Sequence, residues 1–109
     1  MGEKRVLSEE TLKEIIRRIV KVAQPEKIIL FGSAARGEMD LHSDVDLLVI
    51  KRGKFHQGHV TGEIYMNLHG VSQAVDVILV TPEQVERYRK THFLVIAPAL
   101  REGKEVYHA

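Results

Sequence analysis

Three short apolar runs rich in isoleucine and valine constrain the fold of this 109-residue chain most strongly. They cover residues 27–31, 45–50 and 75–80, and their apolar side chains follow one another directly instead of alternating with polar ones. Because neighbouring side chains of a strand point to opposite faces, such runs predict strands that helices cover on both sides. We expect these three strands to form the centre of a sheet.

Helical patterns lie between and around the apolar runs. Apolar residues recur at helical spacing from about residue 8 to residue 24, where Ser8 is the predicted N-cap and Pro25 the stop signal. A weaker helical period around Ile64 predicts a second helix, although Gly58 and Gly62 interrupt it.

The C-terminal third of the chain has clearer signals. The segment Thr81-Pro82-Glu83-Gln84 has the form of a capping box, which predicts a helix that runs to about Arg89. The tail predicts a short helix broken at Pro98 and a final edge strand at about residues 105–107. The expected fold is α/β, with a mixed central sheet of three to four strands and helices packed on it.

Size, charge and composition limit the function classes. The length suits one domain, residues 1–109, and the net charge of +1 gives no global attraction to nucleic acid, so we do not expect direct nucleic-acid binding. The chain has no cysteine and no apolar run long enough to span a membrane, which excludes thiol chemistry and predicts a cytoplasmic protein. The sequence leaves open whether the chain forms a homo-oligomer.

Two aspartates begin the second apolar run. Asp44 and Asp46 are two residues apart, so in a strand they project to the same side while Val45 turns to the core. Two adjacent carboxylates repel each other, and a divalent cation such as magnesium removes the conflict. At the end of the preceding run, Gly32 permits close backbone approach, and Ser33 opens a short helix suited to receive a phosphate.

A third aspartate, Asp76, interrupts the apolar run AVDVILV. A carboxylate is seldom placed in such a run without a partner, so we expect Asp76 to face the same metal. Two magnesium ions, about 4 Å apart in such sites, can hold a triphosphate and activate an incoming hydroxyl. This chemistry is nucleotidyl transfer.

The spacing of these residues resembles a known signature. Gly32-Ser33, ten residues and then Asp44-x-Asp46 is similar to the pattern of the polymerase-beta-like nucleotidyltransferases, and Arg36-Gly37 makes it resemble their minimal nucleotidyltransferase (MNT) domains. The resemblance implies Asp44, Asp46 and Asp76 as catalytic and metal-binding residues. It also implies ATP or another NTP, two Mg²⁺ ions, and triphosphate contacts from Gly32, Ser33 and Arg36.

The resemblance also implies a partner. MNT domains commonly act on a HEPN-type toxin, so the predicted activity is transfer of AMP from ATP to a hydroxyl of that toxin, with this chain as the antitoxin. The alternative is a non-catalytic antitoxin, a binding module that occludes a partner protein. Retention of three mutually repelling aspartates favours the enzyme, because a chain that needs only the fold could dispense with them.

Each candidate also has a structural interpretation. Gly32 could be an ordinary turn glycine, Asp44 a helix or turn cap, and Arg36 a solvated loop arginine. For His56 and His59 we favour exposed surface positions over metal ligation, because two glycines lie close by and the chain has no cysteine to serve as a third ligand. For the basic stretch 51–54 we favour a solvated turn over a contact with RNA or an acidic partner, and we leave it unassigned.

Overall fold

A mixed sheet organises the part of the chain that the structure describes. This computed structural model describes residues 7–38, 44–89 and 96–109. Its helices are α1 (Glu9–Ala23), α2 (Gly32–Ala35), α3 (Gln57–Asn67), α4 (Pro82–Arg89) and α5 (Ile96–Glu102). Its strands are β1 (Lys27–Phe31), β2 (Val45–Ile50), β3 (Val75–Val80) and β4 (Lys104–His108).

The four strands lie in the order β3-β2-β1-β4. Strand β1 is antiparallel to both β2 and β4, whereas β2 and β3 are parallel. This arrangement confirms the predicted mixed sheet, and the three apolar runs have the predicted bounds. The prediction that all three runs form the centre of the sheet is wrong, because β3 is an edge strand. An apolar run indicates that both faces of a strand are covered, but it does not indicate which strands lie beside it in the sheet.

Alternate residues of each strand enter two separate cores. On the first face of the sheet, α1 and α3 pack on residues such as Ile28, Leu47 and Val77. On the second face, the core combines strand residues Phe31 and Leu48 with residues of α4 and α5. Helices therefore cover the two faces, as the continuous apolar runs predict.

The helix ends follow the sequence signals with one exception. The Ser8 hydroxyl caps α1 by accepting from the Thr11 amide at 3.1 Å. At α4 the Thr81 hydroxyl accepts from the Gln84 amide at 3.2 Å, and the Gln84 side chain accepts from the Thr81 amide at 2.9 Å. The predicted break at Pro98 is wrong, because α5 continues through this position. Pro98 lies in the first turn, where amides have no partner within the helix.

Side chains of α3 cover the outer edge of β3. The Tyr65 hydroxyl accepts from the Val77 amide at 2.8 Å, and the Gln57 side-chain amide donates to the Leu79 carbonyl at 3.2 Å. At the opposite edge, the pairing of β4 with β1 is interrupted by a register shift between Ile28 and Ile29. Such irregularities and covered backbone groups oppose the addition of further strands.

Among the described residues, no helix is long and apolar enough to cross a membrane.

Candidate functional site

The three aspartates lie on one face of the sheet, at one end of two neighbouring strands. Asp44 directly precedes β2, Asp46 is the second residue of β2, and Asp76 is its register partner on β3. The side chains two and four residues further along these strands pack in the second core with α4 and α5. Residues at two-residue steps share a face, so the carboxylates belong to that face, beyond its apolar part.

The proximity of these carboxylates changes their acidity. Burial raises the pKa of Asp46, and the negative charges of Asp76 and Asp44 raise it further. Partial loss of water also raises the pKa of Asp76, although the residue is exposed, and a hydrogen bond and the charge of Asp44 add to this shift. The cluster therefore carries an electrostatic strain that a bound cation would relieve.

Gly32 brings the backbone close to this cluster. Phe31, the last residue of β1, pairs with Asp46 across the sheet, and the chain then turns at Gly32 with φ of 73°. A Cβ atom at Gly32 would collide with the Asp46 carboxylate oxygen Oδ2. Only glycine adopts this positive φ without strain and also leaves room for the Asp46 carboxylate. Gly32 is therefore both a turn residue and a point of close approach.

A closed turn follows α2. The Glu38 amide donates to the Ser33 carbonyl at 2.8 Å, and the Gly37 amide donates to the Ala34 carbonyl at 3.3 Å. Gly37 has φ of 69°, so these bonds form a Schellman motif with glycine at its left-handed position. The motif fixes the point at which the Arg36 side chain leaves the main chain.

Arg36 has contacts in two directions. Its Nε donates to the Glu38 carboxylate at 3.2 Å, and its positive charge lowers the pKa of Asp46 against the stronger effects that raise it. The side chain is about half exposed. The structure thus brings Gly32, Ser33 and Arg36 to the same end of the sheet as Asp44, Asp46 and Asp76.

The donor set suits a hard divalent cation. Carboxylate oxygens are the ligands that Mg²⁺ prefers, and the mutual repulsion of the three aspartates favours positive charge between them. Within the described ranges, no three acidic or histidine side chains form a ready-made metal site. By the chemistry of their oxygens and by their common position on the sheet, the three aspartates nevertheless suit magnesium.

Other sequence candidates have local structural roles. His56 caps α3 by accepting from the His59 amide at 3.0 Å, and His59 contacts Glu63 at 2.6 Å. Lys51 donates to the carbonyl of Ala23 at 2.7 Å. Arg52, from the same basic stretch, pairs with Glu26 at 2.9 Å. Two further sequence interpretations, Ser43 as a local turn former before Asp44 and Asp40 as an exposed loop charge, concern residues outside the described ranges.

Sequence reasoning missed the contact that Glu38 makes with Arg36. We interpret Glu38 from sequence as an exposed loop charge, and the structure adds a hydrogen bond to a residue of the candidate site. The available signal was the opposite charge two residues after Arg36, beyond a glycine that reverses the chain.

Comparisons with known proteins agree with this fold. The family model for the nucleotidyltransferase domain matches residues 9–100. The chain therefore belongs to the nucleotidyltransferase domain family. No curated protein sequence matches it significantly.

Two solved structures have a similar fold. A Sulfolobus solfataricus protein named as a candidate nucleotidyltransferase is 18% identical, with a TM-score of 0.54, over 94% of this chain and 90% of that one. A chain in a mutant of the toxin–antitoxin complex MntA-HpeT is also 18% identical, with a TM-score of 0.60, over 94% of this chain and 74% of that one. At this identity the likeness concerns the fold.

Proposed function

We propose that this chain is a magnesium-dependent nucleotidyltransferase that moves AMP from ATP to a hydroxyl of a partner protein. The partner in this proposal is a HEPN-type toxin with an acceptor tyrosine, and the chain acts as its antitoxin in the cytoplasm. Membership of the nucleotidyltransferase domain family supports the reaction class.

One observation carries the proposal. Asp46 and Asp76 are register partners on parallel strands, and Asp44 is close enough to Asp76 to raise its pKa, so three carboxylates lie near one another where the packed core ends. A role in stability alone does not account for them, because burial and repulsion raise the pKa of two of the three. Perturbed acidity in a group of acidic residues is typical of functional sites.

The reaction assigns a role to each residue. The acceptor hydroxyl oxygen attacks the α-phosphorus of ATP, the bond between the α-phosphorus and the bridging oxygen breaks, and pyrophosphate leaves. Asp76 accepts the hydroxyl proton in this proposal, because it is an exposed carboxylate on the edge strand, and its raised pKa makes it a better base. Gly32, Ser33 and Arg36 contact the triphosphate.

Asp44 and Asp46 would be the main magnesium ligands, and Asp76, as third ligand or base, would lie beside them. Bound Mg²⁺ supplies positive charge that offsets both the repulsion among the aspartates and the charge of the triphosphate. Gly32 lets the triphosphate approach this point, since any larger residue there would displace Asp46.

The proposed partner has a separate basis. A chain of similar fold occurs in the toxin–antitoxin complex MntA-HpeT, which motivates a search for a toxin acceptor. A bulky, negatively charged AMP group near an RNA-binding surface would repel the phosphate backbone and silence a ribonuclease.

Thermal unfolding with Mg²⁺ and a non-hydrolysable ATP analogue tests the site. The wild-type midpoint should rise, since a ligand that binds the native state stabilises it, and Asp44→Asn should lose most of this rise. Asp76→Asn should keep most of the rise and lose transfer activity, as expected for a base. An equal rise in wild type and Asp44→Asn would refute the proposed metal site.

Intact-mass spectrometry tests the acceptor. After incubation with ATP and Mg²⁺, a HEPN-type toxin encoded beside this chain should gain the mass of one or more AMP groups, and Asp44→Asn should abolish the gain. An unmodified toxin that Asp44→Asn still inhibits would support the binding module instead.

A further inference from the structure

The ion pair between Arg36 and Glu38 uses one guanidinium nitrogen, as the pair between Arg18 and Glu14 does, whereas two other pairs among the described residues use two. Glu14 and Glu26 each accept from both Nε and Nη2 of an arginine, namely Arg17 and Arg52. Glu38 accepts from Arg36 through Nε alone, at 3.2 Å. Among the described residues, no hydrogen-bond partner is observed for the terminal nitrogens of Arg36.

The backbone of Glu38 is fixed by the same turn. Its amide donates to the Ser33 carbonyl at 2.8 Å, across the left-handed Gly37. Glu38 thus contacts the turn through its main chain and Arg36 through its side chain. Because both ends of this contact belong to one closed turn, the carboxylate restricts the orientation of the guanidinium.

The restricted orientation is relevant to the aspartate cluster. The charge of Arg36 acts on Asp46, so the guanidinium lies within electrostatic range of the site. An arginine held by Nε retains its two terminal nitrogens for an anion, and these nitrogens bind phosphate oxygens well.

We propose that Glu38 is a positioning residue, which holds Arg36 through Nε so that the terminal nitrogens of Arg36 meet the triphosphate. The inference rests on the proposed function and names a residue beyond it. A glutamate next to a triphosphate site has two opposite effects. Its charge repels the nucleotide, whereas its hydrogen bond orders the arginine that binds the nucleotide.

Whether substitution of Glu38 weakens or strengthens nucleotide binding distinguishes these two effects. Glu38→Ala and Glu38→Gln remove the same charge, but the glutamine side-chain oxygen can still accept from Arg36 Nε. If positioning dominates, Glu38→Ala should weaken binding of the Mg²⁺-loaded ATP analogue by about three- to fivefold, the range expected for an exposed ion pair. Glu38→Gln should bind within about twofold of wild type. If repulsion dominates, both variants should bind more tightly.

A double-mutant cycle with Arg36→Ala provides the control. In the Arg36→Ala background, Glu38→Ala should not weaken binding further, because no guanidinium is left to orient. The thermal midpoint without nucleotide should stay near that of wild type, since Glu38 is exposed. In transfer assays the KM for ATP should rise with kcat unchanged.

The outcomes distinguish this inference from the proposed function. Titration calorimetry with the analogue and Mg²⁺ gives the dissociation constants for wild type and the variants. Absence of binding by the wild type would overturn the proposed function and this inference together. Wild-type binding with unchanged or tighter binding by Glu38→Ala, or an equal loss in the Arg36→Ala background, would overturn the positioning role alone.

Discussion

Gly32 and Gly37 have nearly the same left-handed backbone, with φ of 73° and 69°, and differ in their surroundings. A Cβ atom at Gly32 meets the Asp46 carboxylate, whereas a Cβ atom at Gly37 has no neighbour within 4 Å. The pair therefore separates the cost of backbone strain from the cost of crowding the carboxylate.

Gly37→Ala should lower the free energy of unfolding by about 1–2 kcal/mol, the usual cost of a left-handed non-glycine residue. Gly32→Ala should cost more than Gly37→Ala, and it should weaken nucleotide binding, because Asp46 must move. Urea unfolding measures both variants. Equal losses would show that the close approach to Asp46 has no energetic consequence, and removal of the difference by Asp46→Ala would confirm its source.

Asp46 should also reveal a conflict between stability and function. Its pKa in the folded protein is raised from 3.8 by burial and by the charges of Asp76 and Asp44. The ionised form therefore opposes folding, and this penalty is complete only above the folded-state pKa. It disappears as the pH falls through that pKa to values below 3.8, where both states are protonated.

Asp46→Asn should consequently be more stable than wild type at neutral pH with a metal chelator present. The difference should shrink as the solution is acidified, and added Mg²⁺ should stabilise the wild type more than the variant. Unfolding midpoints over a pH series provide the measurement. A variant that is less stable than wild type at neutral pH would contradict the direction of the pKa shift.

Among the elements, α4 depends on local interactions at its start. The Thr81 hydroxyl accepts from the Gln84 amide, and the Gln84 side chain returns a bond to the Thr81 amide. Thr81→Ala should lower the free energy of unfolding by about 1 kcal/mol, whereas Thr81→Ser keeps the hydroxyl and should cost much less. Chemical denaturation measures both variants, and equal losses would mean that the cap contributes little.

The elements also show what sequence can specify. The bounds of the strands and both helix caps follow from signals within a few residues, so Ser8, Thr81 and the apolar runs were sufficient. The edge position of β3 and the bond of the Tyr65 hydroxyl depend on tertiary neighbours that no local pattern encodes. For Pro98 the break signal was outweighed by its place in the first turn of α5.

The candidate site divides in the same way. The two-residue spacing of Asp44 and Asp46 and the charge at Asp76 predict a shared face, because strand geometry has a period of two. The sequence predicted that the backbone at Gly32 permits close approach, but it did not identify the Asp46 side chain as the neighbour. The hydrogen bond from Arg36 to Glu38 depends on the turn at Gly37, which sequence analysis did not resolve.

At the scale of the whole molecule, a side chain of α3 protects the outer edge of the sheet. Tyr65→Phe removes the hydroxyl that accepts from the Val77 amide at the outer edge of β3. The free energy of unfolding should fall by about 1 kcal/mol, and hydrogen exchange of the Val77 amide should accelerate. The Val45 amide, which donates to the Ala74 carbonyl, serves as an internal reference. Unchanged exchange at Val77 would show that the hydroxyl does not protect this edge.

The covered edge of β3 has a consequence for how the proposed partner protein would be recognised. Strand addition uses main-chain groups that every sequence possesses, so a sheet with open edges accepts many different segments. Here Tyr65 and Gln57 occupy main-chain groups of β3, and the pairing of β4 is irregular. A partner protein of the kind proposed that approached the β3 edge would therefore be recognised by its side chains, whose shape and charge differ from one protein to the next.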